Sequence, residues 1–178
     1  MLQSVLLAML SEQPNTGYGI ARLLRNGLSH LWDARPQHIY YELAKLRARG
    51  LVNVRRIALS NRPAKKIYSL SPAGQQQLDL WLAVAPAPHS CKDDLLVRIY
   101  CLERMPAQLV TAQVEDRLAY CEGRAAELRL RLEQAQDTDA AGLGEILTLE
   151  GALASAEGQA AWCAGVLSRI PPDRSGEP

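Results

Sequence analysis

The segment that most constrains the fold runs from Pro36 to Gly50, and it combines the signals of a short helix with two different faces. Ile39, Leu43 and Leu46 recur at steps of four and three, so they share one side of a helix. Proline suits the first helical turn, where its missing N–H has no intrahelical partner, and glycine is common just past the last turn. The pattern predicts a helix with one apolar face and one polar face.

The polar face of this helix carries side chains that can hydrogen-bond to bases or phosphates. At about 100° per residue, three of them fall opposite the apolar face and two lie at its margins. They are Gln37, Tyr41 and Lys45, with His38 and Tyr40 at the margins. Amide, phenol, imidazole and ammonium groups all pair with base edges or phosphate oxygens. An ordinary amphipathic surface helix has the same pattern, so the flanking segments must decide between the two interpretations.

A basic β-hairpin is predicted directly after the helix. Residues 52–54 and 67–70 alternate as strands do, and residues 60–63 are a cluster of turn-forming types. No acidic residue stands between Val52 and Leu78, but Arg55, Arg56, Arg62, Lys65 and Lys66 do. A charge run is usually a solvated face. Here, however, the cations stand beside a helix with a polar face, where contact with a phosphate backbone would require them.

Two helices are predicted upstream of this unit. The first has an apolar stripe over residues 2–10 and ends before Pro14, residues 15–19 form a turn, and the second has its apolar side over residues 20–28. Three helices followed by a hairpin is the order of a winged helix-turn-helix, whose recognition helix enters a DNA groove. The predicted fold class is therefore mainly α with a small β-hairpin wing.

Several short phrases carry a family resemblance. They are Leu6-Leu7-Ala8-Met9-Leu10, Gly17-Tyr18-Gly19-Ile20, Ile39-Tyr40, Leu43-Ala44-Lys45-Leu46, Gly50-Leu51-Val52, Lys66-Ile67-Tyr68 and Leu70-Ser71-Pro72-Ala73-Gly74. Together they resemble the PadR family of bacterial transcriptional regulators, densely over residues 1–80 and more loosely beyond. The resemblance implies that Ile39-Tyr40 opens the recognition helix and that Lys66 and Tyr68 lie in the returning strand of the wing.

These observations predict a sequence-specific DNA-binding transcriptional regulator. The residues expected to contact DNA are Gln37, His38, Tyr40, Tyr41, Lys45, Arg62, Lys65, Lys66 and Tyr68. The resemblance adds that the protein is a homodimeric repressor, and the two-fold symmetry of such a dimer predicts a pseudo-palindromic operator. It also implies that C-terminal helices embrace the partner's N-terminal helix, and that a planar aromatic effector binds between the domains.

The distribution of charge agrees with a DNA-binding head. The whole chain of 178 residues has a formal net charge of only +1. Residues 1–84 hold 11 Lys and Arg against 4 Asp and Glu, a net of +7, whereas residues 85–178 hold 9 against 15, a net of −6. A positive head on an acidic body orients itself on a polyanion.

A second, helical domain is predicted after the prolines of residues 85–90. Residues 91–170 contain three helices, and two of them carry apolar positions at steps of three and four, as in antiparallel or coiled-coil-like helices: Val110 to Leu132 and Ile146 to Ile170. The two could pack on each other within one chain. A dimer is the preferred interpretation, because winged-helix proteins usually read two half-sites. The predicted domains are 1–84 for DNA binding and 91–170 for dimerisation, with a flexible tail at 171–178.

Three aromatic residues of the second domain have two interpretations. Trp162 lies beside the apolar seam, where it could anchor an interface or form a platform for an aromatic effector. Tyr100 and Tyr120 allow the same two roles. The effector-binding prediction therefore names Trp162, Tyr100 and Tyr120.

Other function classes are disfavoured by missing signals. Cys91, Cys101, Cys121 and Cys163 form no C-x-x-C pair and are expected to be free thiols, and the three histidines lack metal-ligand spacing, so no metal or cofactor is predicted. No catalytic phrase appears, so no enzyme activity is expected. Without an apolar run of about 20 residues or a basic leader, the chain is expected in the cytoplasm. The remaining alternative is a helical adaptor whose winged helix binds protein, against which the basic hairpin argues.

Overall fold

The chain forms two compact units, Met1–Pro88 and His89–Pro178. The computed structural model describes residues 1–26, 28–30, 32, 34–59, 62–87, 92–138 and 141–170, with only the backbone described at residues 26, 59 and 62–64. The predicted turn residues Ser60 and Asn61, as well as His89, Cys91 and the predicted tail at 171–178, lie outside the described residues.

The first unit combines four helices with a three-stranded antiparallel sheet. Its elements are α1 (Leu2–Glu12), β1 (Asn15–Thr16), α2 (Gly17–Asn26), α3 (Pro36–Ala48), β2 (Val52–Leu59), β3 (Arg62–Leu70) and α4 (Pro72–Ala83). The strand order is β1-β3-β2. The predicted sequence of three helices and a hairpin is confirmed, with α4 following it.

The core of the first unit is built from the apolar stripes of α1, α2 and α3. Its fully buried side chains are Leu6, Ile20, Leu24, Ile39, Leu43 and Leu46. Ser71 ties the start of α4 to this core, because its hydroxyl donates to the Gly50 carbonyl (2.7 Å) and accepts from the Gly74 N–H (3.0 Å). Gly50 itself has φ +70°, a conformation that favours glycine.

Two local predictions for the first unit need correction. Residues 15–19 were expected to form a turn, but Asn15 and Thr16 form strand β1 and α2 begins at Gly17. Asn15 pairs with Tyr68, so β3 becomes the central strand of the sheet. The turn predicted at 60–63 is also too long, since the backbone of residues 62 and 63 already belongs to β3.

The second unit is a helical hairpin with a short helix before it. It contains α5 (Asp94–Tyr100), a 3₁₀ turn (Leu102–Arg104), α6 (Ala107–Gln136) and α7 (Leu143–Leu167). α6 and α7 pack on each other. Buried positions of the two predicted seams face this contact: Ala125 and Leu128 from α6, and Leu149 and Ala156 from α7. Ala135, beyond the end of the predicted α6 seam, joins them. The two helices therefore pack on each other within one chain, which is the alternative that the sequence left open beside a dimer.

The described cysteines are free thiols at Cys101, Cys121 and Cys163. Burial raises the pKa of Cys121 and of Cys163, so both thiols are protonated at neutral pH. Within the described helices, none has both the length and the apolar character needed to cross a membrane.

Candidate nucleic-acid interface

Helix α3 buries its apolar face and exposes its polar face. Ile39, Leu43 and Leu46 have no accessible surface. On the other side, all five side chains predicted to face DNA are exposed: Gln37, His38, Tyr40, Tyr41 and Lys45. The helix begins at Pro36 and is followed by Gly50, as the sequence predicts. The division into faces is confirmed, while contact of these side chains with DNA stays a prediction.

Tyr40 lies against the start of α2. The first carbon of a side chain at Gly17 would collide with the Tyr40 ring. Because glycine has no side chain, the ring can pack against the backbone there. The next residue, Tyr18, is exposed in the first turn of α2, as are Arg22 and Arg25 further along the helix. These three were not predicted as contact residues. The Gly-Tyr phrase that opens α2 was the signal that could have identified Tyr18.

Tyr41, Glu42 and Lys45 form a local cluster on α3. The Lys45 ammonium lies 4.3 Å from the centroid of the Tyr41 ring and 3.4 Å from Glu42 Oε1. The same carboxylate oxygen lies 3.7 Å from His38 Nε2. A cation over an aromatic face is attracted by the ring quadrupole, so Lys45 is held between a ring and a carboxylate.

The protonation of this cluster is set by its hydrogen bonds. The bond from the Gln3 side chain is the largest influence on the pKa of Glu42 and lowers it, although burial acts in the opposite direction. The pKa of Lys45 is raised, first by the Tyr41 hydroxyl and also by Glu42. Both Glu42 and Lys45 are therefore charged at neutral pH.

The β2–β3 hairpin presents a basic surface. Its register places Arg56 opposite Lys66 and Ile57 opposite Lys65. Arg55, Arg56, Lys65 and Lys66 are all exposed, whereas the side chain of Arg62 lies outside the described part of the chain. Like charges directly opposite each other destabilise a strand pair, so this hairpin concentrates positive potential at some cost in stability.

Tyr68 does not join this exposed surface, and its contact with DNA stays a prediction that its burial argues against. The side chain is only 7% exposed and belongs to the core of the first unit. It pairs with Val54 on one side and Asn15 on the other, because β3 is the central strand. Burial is also the main reason that the pKa of the Tyr68 hydroxyl is raised.

The first unit also has an apolar groove of about 490 Å³ on its helical side. Its lining residues include Val5, Ala8, Met9, Leu24, Leu28, Trp32 and Trp81. Further large apolar side chains are exposed along α4, at Leu80 and Leu82, and at Val84 just beyond it. Exposed apolar patches of this kind are typical of interaction surfaces.

The three aromatic residues proposed for effector binding lie exposed on the second unit. Tyr100 is 91%, Tyr120 69% and Trp162 37% exposed. Tyr120 lines an open polar pocket of about 400 Å³ together with Arg98, Gln113 and Arg117 among others. Tyr100 and Trp162 do not line that pocket, so the structure does not bring the three aromatics together in it.

Arg117, at the edge of this pocket, is engaged by Asp93. Its two terminal nitrogens donate to the two carboxylate oxygens at 2.7 and 3.1 Å. This fork lowers the pKa of Asp93, as does the Leu95 N–H that the same carboxylate accepts at the start of α5.

Known proteins match this chain over both units. Residues 6–80 match the model of the Transcriptional regulator PadR-like family, and residues 91–170 match that of Virulence activator alpha C-term. The Negative transcriptional regulator PadR of Bacillus subtilis (strain 168) is 25% identical over 97% of this chain and 99% of its own length. A probable transcriptional regulator of Mycobacterium tuberculosis is 31% identical over 49% of this chain and 46% of its own length.

Solved structures agree with the fold. Bacillus subtilis PadR in complex with operator DNA has a TM-score of 0.84 and 26% identity, covering 96% of this chain and 99% of that one. The Vibrio cholerae virulence activator AphA, at 22% identity and a TM-score of 0.79 over 96% of this chain and 98% of that one, supports the fold alone. The predicted fold class, a winged helix-turn-helix followed by C-terminal helices, is confirmed. Residues 6–80 thus carry the domain of the PadR-like family of transcriptional regulators.

Proposed function

We propose that the protein is a homodimeric, DNA-binding repressor, in which α3 reads bases and the β2–β3 hairpin holds phosphates. The observation that carries the proposal is the exposed polar face of α3 directly beside an exposed, acid-free basic hairpin. Bacillus subtilis PadR, which matches over almost the whole chain, has been solved with operator DNA. That complex supports the same kind of ligand for this chain.

The two parts of the surface have different tasks. Gln37 and Tyr41 carry groups suited to base edges, and such contacts supply discrimination between sequences. Lys65 and Lys66 carry point charges suited to phosphates, and these supply affinity without regard to sequence.

Dimerisation is proposed because the first unit leaves its apolar groove open. In a second copy of the chain, the C-terminal helices supply apolar residues that could cover it, as the family resemblance implies. We assign residues 1–84 to DNA binding and residues 91–170 to dimerisation on this basis. A two-fold dimer would place two recognition helices on a pseudo-palindromic operator.

Response to a small aromatic effector is part of the proposal. Bacillus subtilis PadR has also been solved in complex with p-coumaric acid, a planar aromatic acid. Tyr100, Tyr120 and Trp162 are the aromatic candidates for such contacts. An effector can act only if it binds the DNA-competent and DNA-free arrangements with different affinity.

The test is a binding titration with the promoter of the protein's own transcription unit and a scrambled duplex of equal length. We expect tighter binding to the promoter. Gln37→Ala or Tyr41→Ala should cost ~1–3 kcal/mol on that duplex and little on the scrambled one. Gln76→Ala on α4 is the control for Gln37→Ala, because it makes the same change at a position outside α3. It should leave the affinities for both duplexes unchanged.

The same titration addresses the wing and the alternative function. The double substitution Lys65→Ala with Lys66→Ala should lower the affinity for both duplexes by the same factor. It should also make that affinity less dependent on salt concentration. Equal affinity of the unmodified protein for both duplexes would exclude base reading by α3. Absence of binding to either duplex would favour a helical adaptor that binds protein instead.

A further inference from the structure

Glu42 is a buried carboxylate on the helix that is proposed to meet a polyanion. It is the only acidic residue of α3, and it is 8% exposed. A negative charge close to bound phosphates opposes binding by Coulomb repulsion. Its surroundings indicate what it contributes instead.

One oxygen of Glu42 is held from the neighbouring helix α1. Gln3 Nε2 donates to Glu42 Oε2 at 2.6 Å, and Gln3 Oε1 accepts from Arg49 Nη1 at 2.7 Å. Both polar atoms of the Gln3 amide are thus engaged, and Gln3 links Glu42 on the recognition helix to Arg49 just beyond its last residue.

The other oxygen of Glu42 lies close to two side chains of α3, Lys45 and His38. Glu42 Oε1 lies 3.4 Å from Lys45 Nζ, which in turn lies over the Tyr41 ring. An unrestrained lysine ammonium binds any phosphate as a mobile point charge. The ammonium here has two partners inside the protein before DNA arrives.

We propose that Glu42 is a positioning residue for sequence discrimination. It holds the Lys45 ammonium against the Tyr41 ring, so that the two side chains meet the DNA in one geometry, and Gln3 keeps the carboxylate in place. The effect is to reduce the attraction of Lys45 for arbitrary phosphates and to favour the duplex that fits the Tyr41–Lys45 pair. This inference rests on the proposed DNA binding by α3.

Glu42→Gln is the decisive variant, because it keeps the size of the side chain and an oxygen that can accept from Gln3. Loss of the charge should raise affinity for a scrambled duplex about two- to threefold, since one repulsive charge near the phosphates is removed. Affinity for the promoter should fall, so that the ratio of the two affinities decreases about tenfold. Damage to the fold would instead weaken binding to both duplexes.

The experiment measures both affinities by fluorescence anisotropy for the unmodified full chain and five variants, one of which combines Glu42→Gln with Lys45→Ala. Gln3→Ala removes the support from α1 without altering α3 and should lower the ratio in the same direction. In a Lys45→Ala background, Glu42→Gln should leave the ratio unchanged, because no ammonium remains to be held. Asp79→Asn, which removes one exposed negative charge on α4, should leave the ratio within about twofold of the unmodified protein.

The possible results separate this inference from the proposed function. If the unmodified protein prefers the promoter and Glu42→Gln keeps that preference, the positioning role is overturned while the function stands. If Glu42→Gln and Gln3→Ala lower the affinities for both duplexes by the same factor, Glu42 has only a structural role and the positioning role is overturned. If the unmodified protein shows no preference for the promoter, the function fails and the positioning role fails with it.

Discussion

At the scale of single residues, two glycines of the first unit are required for space and not for backbone angle. A side-chain carbon at Gly17 would meet the Tyr40 ring, and one at Gly74 would meet the backbone carbonyl oxygen of Leu51. A ring can swing aside, whereas a carbonyl between α3 and β2 cannot move without shifting the chain. The two positions should therefore differ in their tolerance of substitution.

Gly74→Ala should lower the free energy of unfolding by about 1–3 kcal/mol, as overpacking in a well-filled core does. Gly123→Ala is the control, because an added carbon at this helical position in α6 meets open space. That substitution should leave stability unchanged or raise it by up to about 1 kcal/mol. Urea denaturation of both variants is the measurement, and equal midpoints would contradict the packing described at Gly74.

Asp93→Asn should destabilise the second unit by about 1–2 kcal/mol at pH 7, because the Arg117 fork is weakened while the helix cap is kept. The lowered pKa of Asp93 sets the pH dependence. A depressed carboxyl pKa gives stability that is present above the unfolded value of about 3.9 and is lost as the pH falls through the folded value. The difference in free energy of unfolding between the Asp93→Asn variant and the unmodified protein should therefore become smaller below about pH 4.

The neighbouring Asp94 offers the control for this prediction. Its pair with Arg98 is exposed, and exposed pairs contribute little. Asp94→Asn should change the free energy of unfolding by less than about 0.5 kcal/mol at any pH. A difference for Asp93→Asn that persists unchanged at pH 3 would show that its carboxylate charge is not the cause.

At the scale of elements, the β2–β3 hairpin carries like charges that lower its stability but suit the DNA binding proposed for it. Arg56 and Lys66 face each other across the strands. Selection for stability alone would favour an opposite charge at one of the two positions. Binding to phosphates gives a reason for two cations to stand there.

The substitution Lys66→Glu should affect stability and DNA binding in opposite directions. A cross-strand pair with Arg56 should stabilise the first unit by about 0.2–1 kcal/mol. Affinity for any duplex should fall at least about tenfold at low salt, because a phosphate contact is replaced by a repulsive charge. Thermal melts and binding titrations measure the two effects. Lys92→Glu makes the same charge change in the second unit, and an equal loss of affinity there would argue for a general charge effect and against a wing contact.

The sequence predicted the elements whose signals are local and missed the contacts that span many residues. The faces of α3 follow from its own periodicity, so the burial of Ile39 and the exposure of Tyr41 were predictable. Strand β1 was missed, because two residues cannot show an alternating pattern and their partner β3 lies some fifty residues away. The burial of Tyr68 was not predicted for the same reason, since a two-stranded hairpin has no central strand to bury it.

At the scale of the whole molecule, opposite charges are segregated between the N-terminal and C-terminal halves. The net charge is +7 over residues 1–84 and −6 over residues 85–178, so electrostatic attraction to a polyanion is expected from the N-terminal half. The apolar groove adds a surface for a second copy.

The full chain should sediment as a dimer at micromolar concentration. A chain ending after residue 88 should be monomeric, and its operator affinity should fall about 100-fold or more, because the second half-site is no longer tethered. Sedimentation velocity and the promoter titration measure the two quantities. A full chain that is monomeric, with a shortened form that binds the operator as well, would contradict the role assigned to residues 91–170.

The pairing of α6 with α7 limits how the length of this protein can change in evolution. Cys121, Leu128 and Ala135 are seven residues apart in α6, and Leu149, Ala156 and Cys163 are seven apart in α7, all of them buried. Deleting one residue inside α6 would turn every later position by about 100° and carry buried side chains to the surface. Viable changes inside the hairpin should therefore come as whole heptads removed or added in both helices at once, whereas single-residue changes should collect between residues 137 and 142.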